Sequence, residues 1–220
     1  DISLAVQCSK DISYVNDTSI DSILNKFYMS RIGIRTLIGS YLSTIKDVPS
    51  VIEKDCKPYD VISGAVEDCK DICMLNYASV PNLTISGNED YIFTYIPSHL
   101  YYIVTELVKN AMRGIMDNGG DGDIKLMMSE GEDDLILKIS DTGRGFPRSD
   151  LQKVFRYYYT TAHIGNMNSS PMAGFGHGLP LARLYARYLG GDLHLIPYHG
   201  FGTDAIVYIN KFGDSKERLL

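Results

Sequence analysis

The chain contains no apolar run approaching the ~20 residues needed to cross a bilayer, so no membrane association is expected. It also lacks basic runs. A formal charge of −6 and a pI of about 5.3 argue against a nucleic-acid surface. Cysteine is scarce: Cys8, Cys56, Cys69 and Cys73 form no CxxC pair, and no second ligand pair follows Cys69 and Cys73. The expectation is reduced thiols in or near a core, in a reducing, intracellular compartment, rather than a metal site or a disulfide framework. Two phosphate-handling signatures are missing. Without G-x-x-x-x-G-K-[ST] there is no P-loop, and without H-R-D or D-F-G there is no usual eukaryotic protein-kinase fold. The chain opens at Asp1 rather than Met, so a longer parent protein is expected.

What is present is enough for a real core: 220 residues, 45% of them hydrophobic. Apolar residues at near-helical spacing predict a long amphipathic helix over 19–44, capped by Asp17 or Thr18. A polar connection with Pro49 and Pro58 marks a domain boundary. A second helix is expected over 60–77, then a loop with Pro81 and Gly87 and a short strand over 91–96. Pro97 opens a helix that stops at Asn118-Gly119-Gly120. Strands over 123–129 and 135–140 follow, joined by the acidic turn at 131–134. Residues 160–178 read as a mobile loop, 179–189 as a helix, and 192–196 with 203–209 as a closing hairpin. Strands and helices mixed without regular βαβ alternation predict an α+β fold, one sheet covered on one face by helices.

Three stretches carry chemistry. On the helix from Pro97, Tyr102, Glu106, Asn110, Arg113 and Asp117 form a polar stripe opposite a broad apolar face. A solvated helix face can look the same; the amide is the informative member. Asn is a mediocre helix former, yet its neutral oxygen suits Mg²⁺, and Glu106 one turn earlier could take a proton from a nucleophile. The second stretch, Asp141-Thr-Gly-Arg-Gly145, leaves a carboxylate at a strand end beside a glycine turn that lets a flat ligand approach. It is either a plain turn or an acceptor for an exocyclic adenine amine. The third, Gly174-Phe-Gly-His-Gly178, enters a helix whose amino end suits an anion such as phosphate, though any flexible loop also needs glycine.

Together the three resemble the N, G1 and G2 boxes of the Bergerat ATPases, which include histidine kinases, Hsp90-type chaperones, type II topoisomerases and MutL-type repair proteins. Flanking segments are similar to the mitochondrial protein kinases that act on pyruvate and branched-chain α-ketoacid dehydrogenases. They are Phe27-Tyr-Met-Ser-Arg-Ile-Gly-Ile-Arg35, Tyr158-Tyr-Thr-Thr-Ala162, Pro171 to Pro180, Tyr185 to Asp192 and Gly200-Phe-Gly-Thr-Asp-Ala205. The resemblance implies a Bergerat α/β sandwich over 58–213, preceded at 1–48 by the remnant of an amino-terminal four-helix bundle. It implies an ATP- and Mg²⁺-dependent serine kinase acting on the E1α subunit of a 2-oxoacid dehydrogenase complex, pyruvate before branched-chain. Its partners would be that subunit and a lipoyl domain, its compartment the mitochondrial matrix, and its assembly a homodimer.

By the same resemblance Glu106 is the general base and Asn110 the Mg²⁺ ligand, with Lys109 and Arg113 near the phosphates. Asp141 and Thr203 read adenine, and Gly143 and Gly145 shape its pocket. Thr160, Thr161, Gly174, Phe175, Gly176, His177, Gly178 and Leu179 belong to the lid over the triphosphate. Three departures stand out. Pyruvate dehydrogenase kinases carry a His one turn before the catalytic Glu where this chain has Tyr102. The family's G1 box usually reads Asp-Arg-Gly-Gly-Gly rather than Asp-Thr-Gly-Arg-Gly. The Trp-bearing tail that some members use in dimerisation has no counterpart, since the chain has no Trp. A long apolar helix without its bundle should expose surface or pair with another copy.

Two other functions stay open. A self-phosphorylating histidine kinase needs a His on the preceding helices, whereas the first histidine here is His99. A nucleotide-gated binding module without transfer activity would not need the Glu106/Asn110 pair.

Overall fold

The computed structural model describes residues 17–46, 48–160, 172 and 176–211. Helix α1 (Asp17–Lys46) leads to a short strand β1 (Glu53–Cys56), helix α2 (Pro58–Tyr77) and strands β2 (Asn82–Ser86) and β3 (Phe93–Tyr95). Helix α3 (Pro97–Met116) precedes the antiparallel pair β4 (Asp123–Glu130) and β5 (Asp134–Asp141). A 3₁₀ turn (Arg148–Asp150), helix α4 (Gly178–Tyr188) and strands β6 (Asp192–Tyr198) and β7 (Gly202–Asn210) complete it.

The main sheet has the order β2-β4-β5-β7-β6, with β2 parallel to β4 and the other neighbours antiparallel. β1 and β3 form a separate antiparallel pair. The mixed sheet and its helices make the α+β architecture expected from the sequence. Two strands were not expected. β1 is Glu-Lys-Asp-Cys, three solvent-facing polar residues and one buried thiol, so no alternation announces it. β2 is a short edge strand with no fully buried residue, placed where a loop was predicted. The strand predicted over 91–96 contracts to Phe93–Tyr95 and pairs with β1 rather than joining the main sheet.

Alternation sets the core. On β5, Leu135, Leu137 and Ile139 point inward and are at most 2% exposed, while Lys138 faces out and pairs with Asp204 of β7 at 2.8 Å. Each such buried aliphatic side chain contributes roughly 1.5–3 kcal/mol relative to exposure. The facing surface comes from α3, whose Leu100, Ile103, Val104, Leu107, Val108 and Ile115 are all buried. α2 packs along α3 and adds Ile62, Val66, Cys69 and Cys73. Cys56, Cys69 and Cys73 are free and buried, as expected of reduced core thiols; Cys8 lies outside the described residues.

α1 packs on α4 and on the segment around Tyr157, whose hydroxyl donates to Asn25 at 2.9 Å. Leu24 and Ile32 are buried there, but Ile34, Leu37, Ile38, Tyr41 and Ile45 are each more than half exposed. The open apolar surface expected of this helix is therefore present. Among the described residues no helix is long and apolar enough to cross a membrane.

Candidate nucleotide site

α3 positions the site because its two faces differ so sharply. With the apolar side anchored in the core, the helix turns Glu106, Lys109, Asn110, Arg113 and Asp117 into a pocket of about 950 Å³. Opposite them lie Asp141 at the end of β5, Gly145 beyond it, Thr203 on β7, Thr160, Gly176 just before α4, and Gly178 and Leu179 at its start. Most of the sequence-predicted residues thus share one cavity. Ile139, Phe146, Leu195 and Ala205 supply an apolar lining suited to a flat ring.

Asp141 sits in register with Thr203. Its carboxylate accepts the Gly143 N–H at 2.9 Å and the Thr203 backbone N–H. Burial nevertheless dominates, pushing its pKa from 3.8 to about 6. A largely desolvated carboxylate facing a pocket has acceptor capacity left for an amine donor. Gly143 packs against Gly114, where a Cβ would come within 2.9 Å of the Gly114 carbonyl, and it lies behind the lining rather than in it. Gly145 has φ +60°, and a Cβ there would collide with the Tyr198 and Gly202 carbonyl oxygens.

Glu106 and Lys109 form an ion pair of 2.7 Å with side chains only 14% and 15% exposed. The carboxylate also abuts Gly178, where a Cβ would overlap it. The Asn110 amide oxygen accepts from Arg113 at 3.4 Å, a long contact that leaves it usable as a ligand. Asn110 offers one hard neutral oxygen, which fits the way Mg²⁺ takes few protein ligands and completes its shell with phosphate oxygens and water. Tyr102 packs on Tyr185 at 4.8 Å, and burial raises its hydroxyl pKa well above the usual range, so it stays protonated.

His177 departs from the expectation that it lies over phosphate. Its ring packs against Tyr158 at 4.6 Å and near Tyr157 and Tyr28 of α1, and it is not part of the pocket lining. Thr161, Gly174 and Phe175 lie outside the described residues. The sequence reading missed Asn76 and Tyr77, which reach the pocket from the end of α2. Tyr77 donates to Asp117 at 2.8 Å, and burial together with that bond pushes its pKa to about 12. Nothing local marks these two; only the packing of α2 on α3 brings them there.

Residues 95–212 match the family described as histidine kinase-, DNA gyrase B-, and HSP90-like ATPase, and the chain belongs to it. Other matches are to mitochondrial dehydrogenase kinases. Residues 3–62 match the family described as mitochondrial branched-chain alpha-ketoacid dehydrogenase kinase. A mitochondrial [pyruvate dehydrogenase (acetyl-transferring)] kinase of Arabidopsis thaliana is 38% identical, covering 97% of this chain and 63% of its own length. The Schizosaccharomyces pombe counterpart is 40% identical, covering 92% of this chain and 53% of its own. The human isozyme 1 is 38% identical over 93% of this chain and 52% of its own. The chain therefore spans between about half and two thirds of the curated relatives it matches.

Proposed function

We propose that this chain is the ATP-binding part of a mitochondrial protein serine kinase that phosphorylates, and thereby inactivates, the E1α subunit of a 2-oxoacid dehydrogenase complex, pyruvate dehydrogenase before the branched-chain enzyme. One observation carries the reading: Glu106 and Asn110, on successive turns of α3, line the same pocket as Asp141. The names of the relatives support the choice of target and of compartment. We take residues 58–213 as the ATP-binding unit and 1–48 as a helical remnant. The exposed apolar face of α1 supports a further helical partner or a homodimer, and the resemblance a lipoyl-domain contact.

In this reading Asp141 accepts the adenine amine and Thr203 helps hold its carboxylate. Arg113 and Lys109 balance phosphate charge from the α3 side, with the amino end of α4 opposite. Asn110 would hold Mg²⁺, which when bound neutralises charge on the β- and γ-phosphates. Glu106 takes the proton of the seryl hydroxyl as its oxygen attacks the γ-phosphorus; the bond to the bridging oxygen breaks and ADP leaves. Catalysis of this kind asks mainly for positioning and charge neutralisation.

The test is a transfer assay with labelled ATP on the full-length protein, against pyruvate and branched-chain E1α in parallel. An acid-stable phosphoserine product is expected, and Glu106→Gln should bind nucleotide yet lose transfer. An acid-labile product, or undiminished transfer by that variant, would overturn the reading.

A further inference from the structure

The protein's own carboxylate pairs with one of the two features assigned to phosphate and crowds the other. Lys109 Nζ lies 2.7 Å from Oε1 of Glu106, in a pair largely withdrawn from solvent. The other oxygen, Oε2, presses on Gly178, the first residue of α4. A helix amino end attracts anions through its free N–H groups and dipole, and the Glu106 carboxylate occupies space beside it that a phosphate would need. Under the pair, Cys69 of α2 bonds back to the Thr105 carbonyl and, with its pKa pushed up to about 12 by burial, brings no competing charge.

We propose that the Lys109–Glu106 pair restrains the base in the nucleotide-free protein, and that a polyphosphate releases it by taking the Lys109 ammonium and the amino end of α4. The inference rests on the nucleotide reading above. A carboxylate and a triphosphate crowded onto one ammonium repel each other, so phosphate drives Glu106 off its seat. The freed carboxylate is then available to an acceptor hydroxyl only when phosphate is in place. Lys109 thereby acts as a positioning residue for the base as well as a phosphate ligand. The arrangement has a cost that can be measured: Glu106 must weaken the binding of nucleotides that carry phosphate.

Calorimetric titration of the purified protein with adenosine, ADP and Mg·ATP tests this. Glu106→Gln should tighten Mg·ATP binding roughly fivefold, the scale of a partly exposed ion pair. It should leave adenosine unchanged. In a Lys109→Gln background the same substitution should give a smaller gain, because no pair remains to be broken; Lys109→Arg should restore the full gain. A gain as large or larger in the Lys109→Gln background overturns the proposal, since a shared ammonium or bare repulsion predicts that order. An equal gain for adenosine and Mg·ATP overturns it too, and this comparison needs only the Glu106→Gln protein should Lys109→Gln not fold. If the unmodified protein binds neither adenosine nor Mg·ATP, the nucleotide reading itself fails and the restraint with it. Retained adenosine binding with the wrong coupling removes the restraint alone.

Discussion

Replacing Asp141 by Asn should make the protein more stable and at the same time nearly blind to adenine. Burial moves the Asp141 pKa from 3.8 to about 6 in the folded chain. The folded state therefore holds this proton more tightly than the unfolded state. Stability from this group is full below about pH 4 and falls as pH rises through about 6, a loss of roughly 3 kcal/mol at neutral pH. Asp141→Asn removes that loss while keeping an oxygen that accepts the Gly143 and Thr203 N–H groups. Binding runs the other way. A charge-assisted bond to an adenine amine is worth about 1.5–3 kcal/mol, so the variant should bind adenosine about 10- to 100-fold more weakly. If the carboxylate is the binding form, the wild-type affinity should also halve near about pH 6 and drop about tenfold by about pH 5. Calorimetry across this range, with urea unfolding of both proteins at neutral pH, reads both effects. A pH-independent wild-type affinity, or a pH dependence that survives in Asp141→Asn, would refute the assignment of Asp141 to the base.

Asn110→Ala should weaken Mg·ATP by about tenfold or more while leaving adenosine within about twofold, as loss of one metal ligand and not of the base pocket requires; calorimetry with and without Mg²⁺ separates the two. His99 is buried between Tyr185 and Tyr188, and burial, with Arg35 adding to it, lowers its pKa from 6.5 to about 4. The unfolded chain takes that proton first on acidification, so stability should decline between about pH 6.5 and 4 by roughly 3 kcal/mol and level off below. His99→Phe should remove that part of the acid loss in a series of thermal melts. Leu137→Ala, in the centre of β5 at 0% exposure, should cost about 2–5 kcal/mol by urea unfolding.

Patterns that repeat along a single element were legible in the sequence; contacts between elements were not. The stripe on α3 followed from spacing because a helix with so apolar a back can present only one face to a ligand. Asp141 was legible because β5 alternates cleanly up to it. β1 escaped because Glu53, Lys54 and Asp55 all face solvent, leaving Cys56 to do the packing. Asn76 and Tyr77 escaped because their place in the pocket depends on how α2 lies on α3, which no local pattern encodes. His177 was read toward phosphate from its place among glycines. Its ring instead meets Tyr28, which is 149 positions earlier in the chain and belongs to α1. The i,i+3 spacing of Glu106 and Lys109 was visible, yet only the structure puts Gly178 against the same carboxylate.

The unusual second residue of the Asp-Thr-Gly-Arg-Gly box has a local cause. The Thr142 hydroxyl accepts the Asp123 N–H at 2.8 Å, and the Thr142 N–H donates to the Asp123 carbonyl at 3.1 Å. These two bonds extend the β4–β5 ladder one residue past Asp141, beyond its last register pair, Ile124 with Asp141. A long charged side chain at 142 could not close that loop on the backbone, whereas a short hydroxyl can. On the other side, Gly200 donates to the Arg144 carbonyl at 2.7 Å, so the turn between β6 and β7 is tied to the same box. The loop that follows Asp141 is therefore tied to β4 on one side and to the β6–β7 turn on the other. Thr142 fixes the loop that follows Asp141 and leaves the carboxylate's own hydrogen bond, from the Gly143 N–H, untouched. The Arg144 side chain, exposed at the pocket rim, takes no part in that bracing.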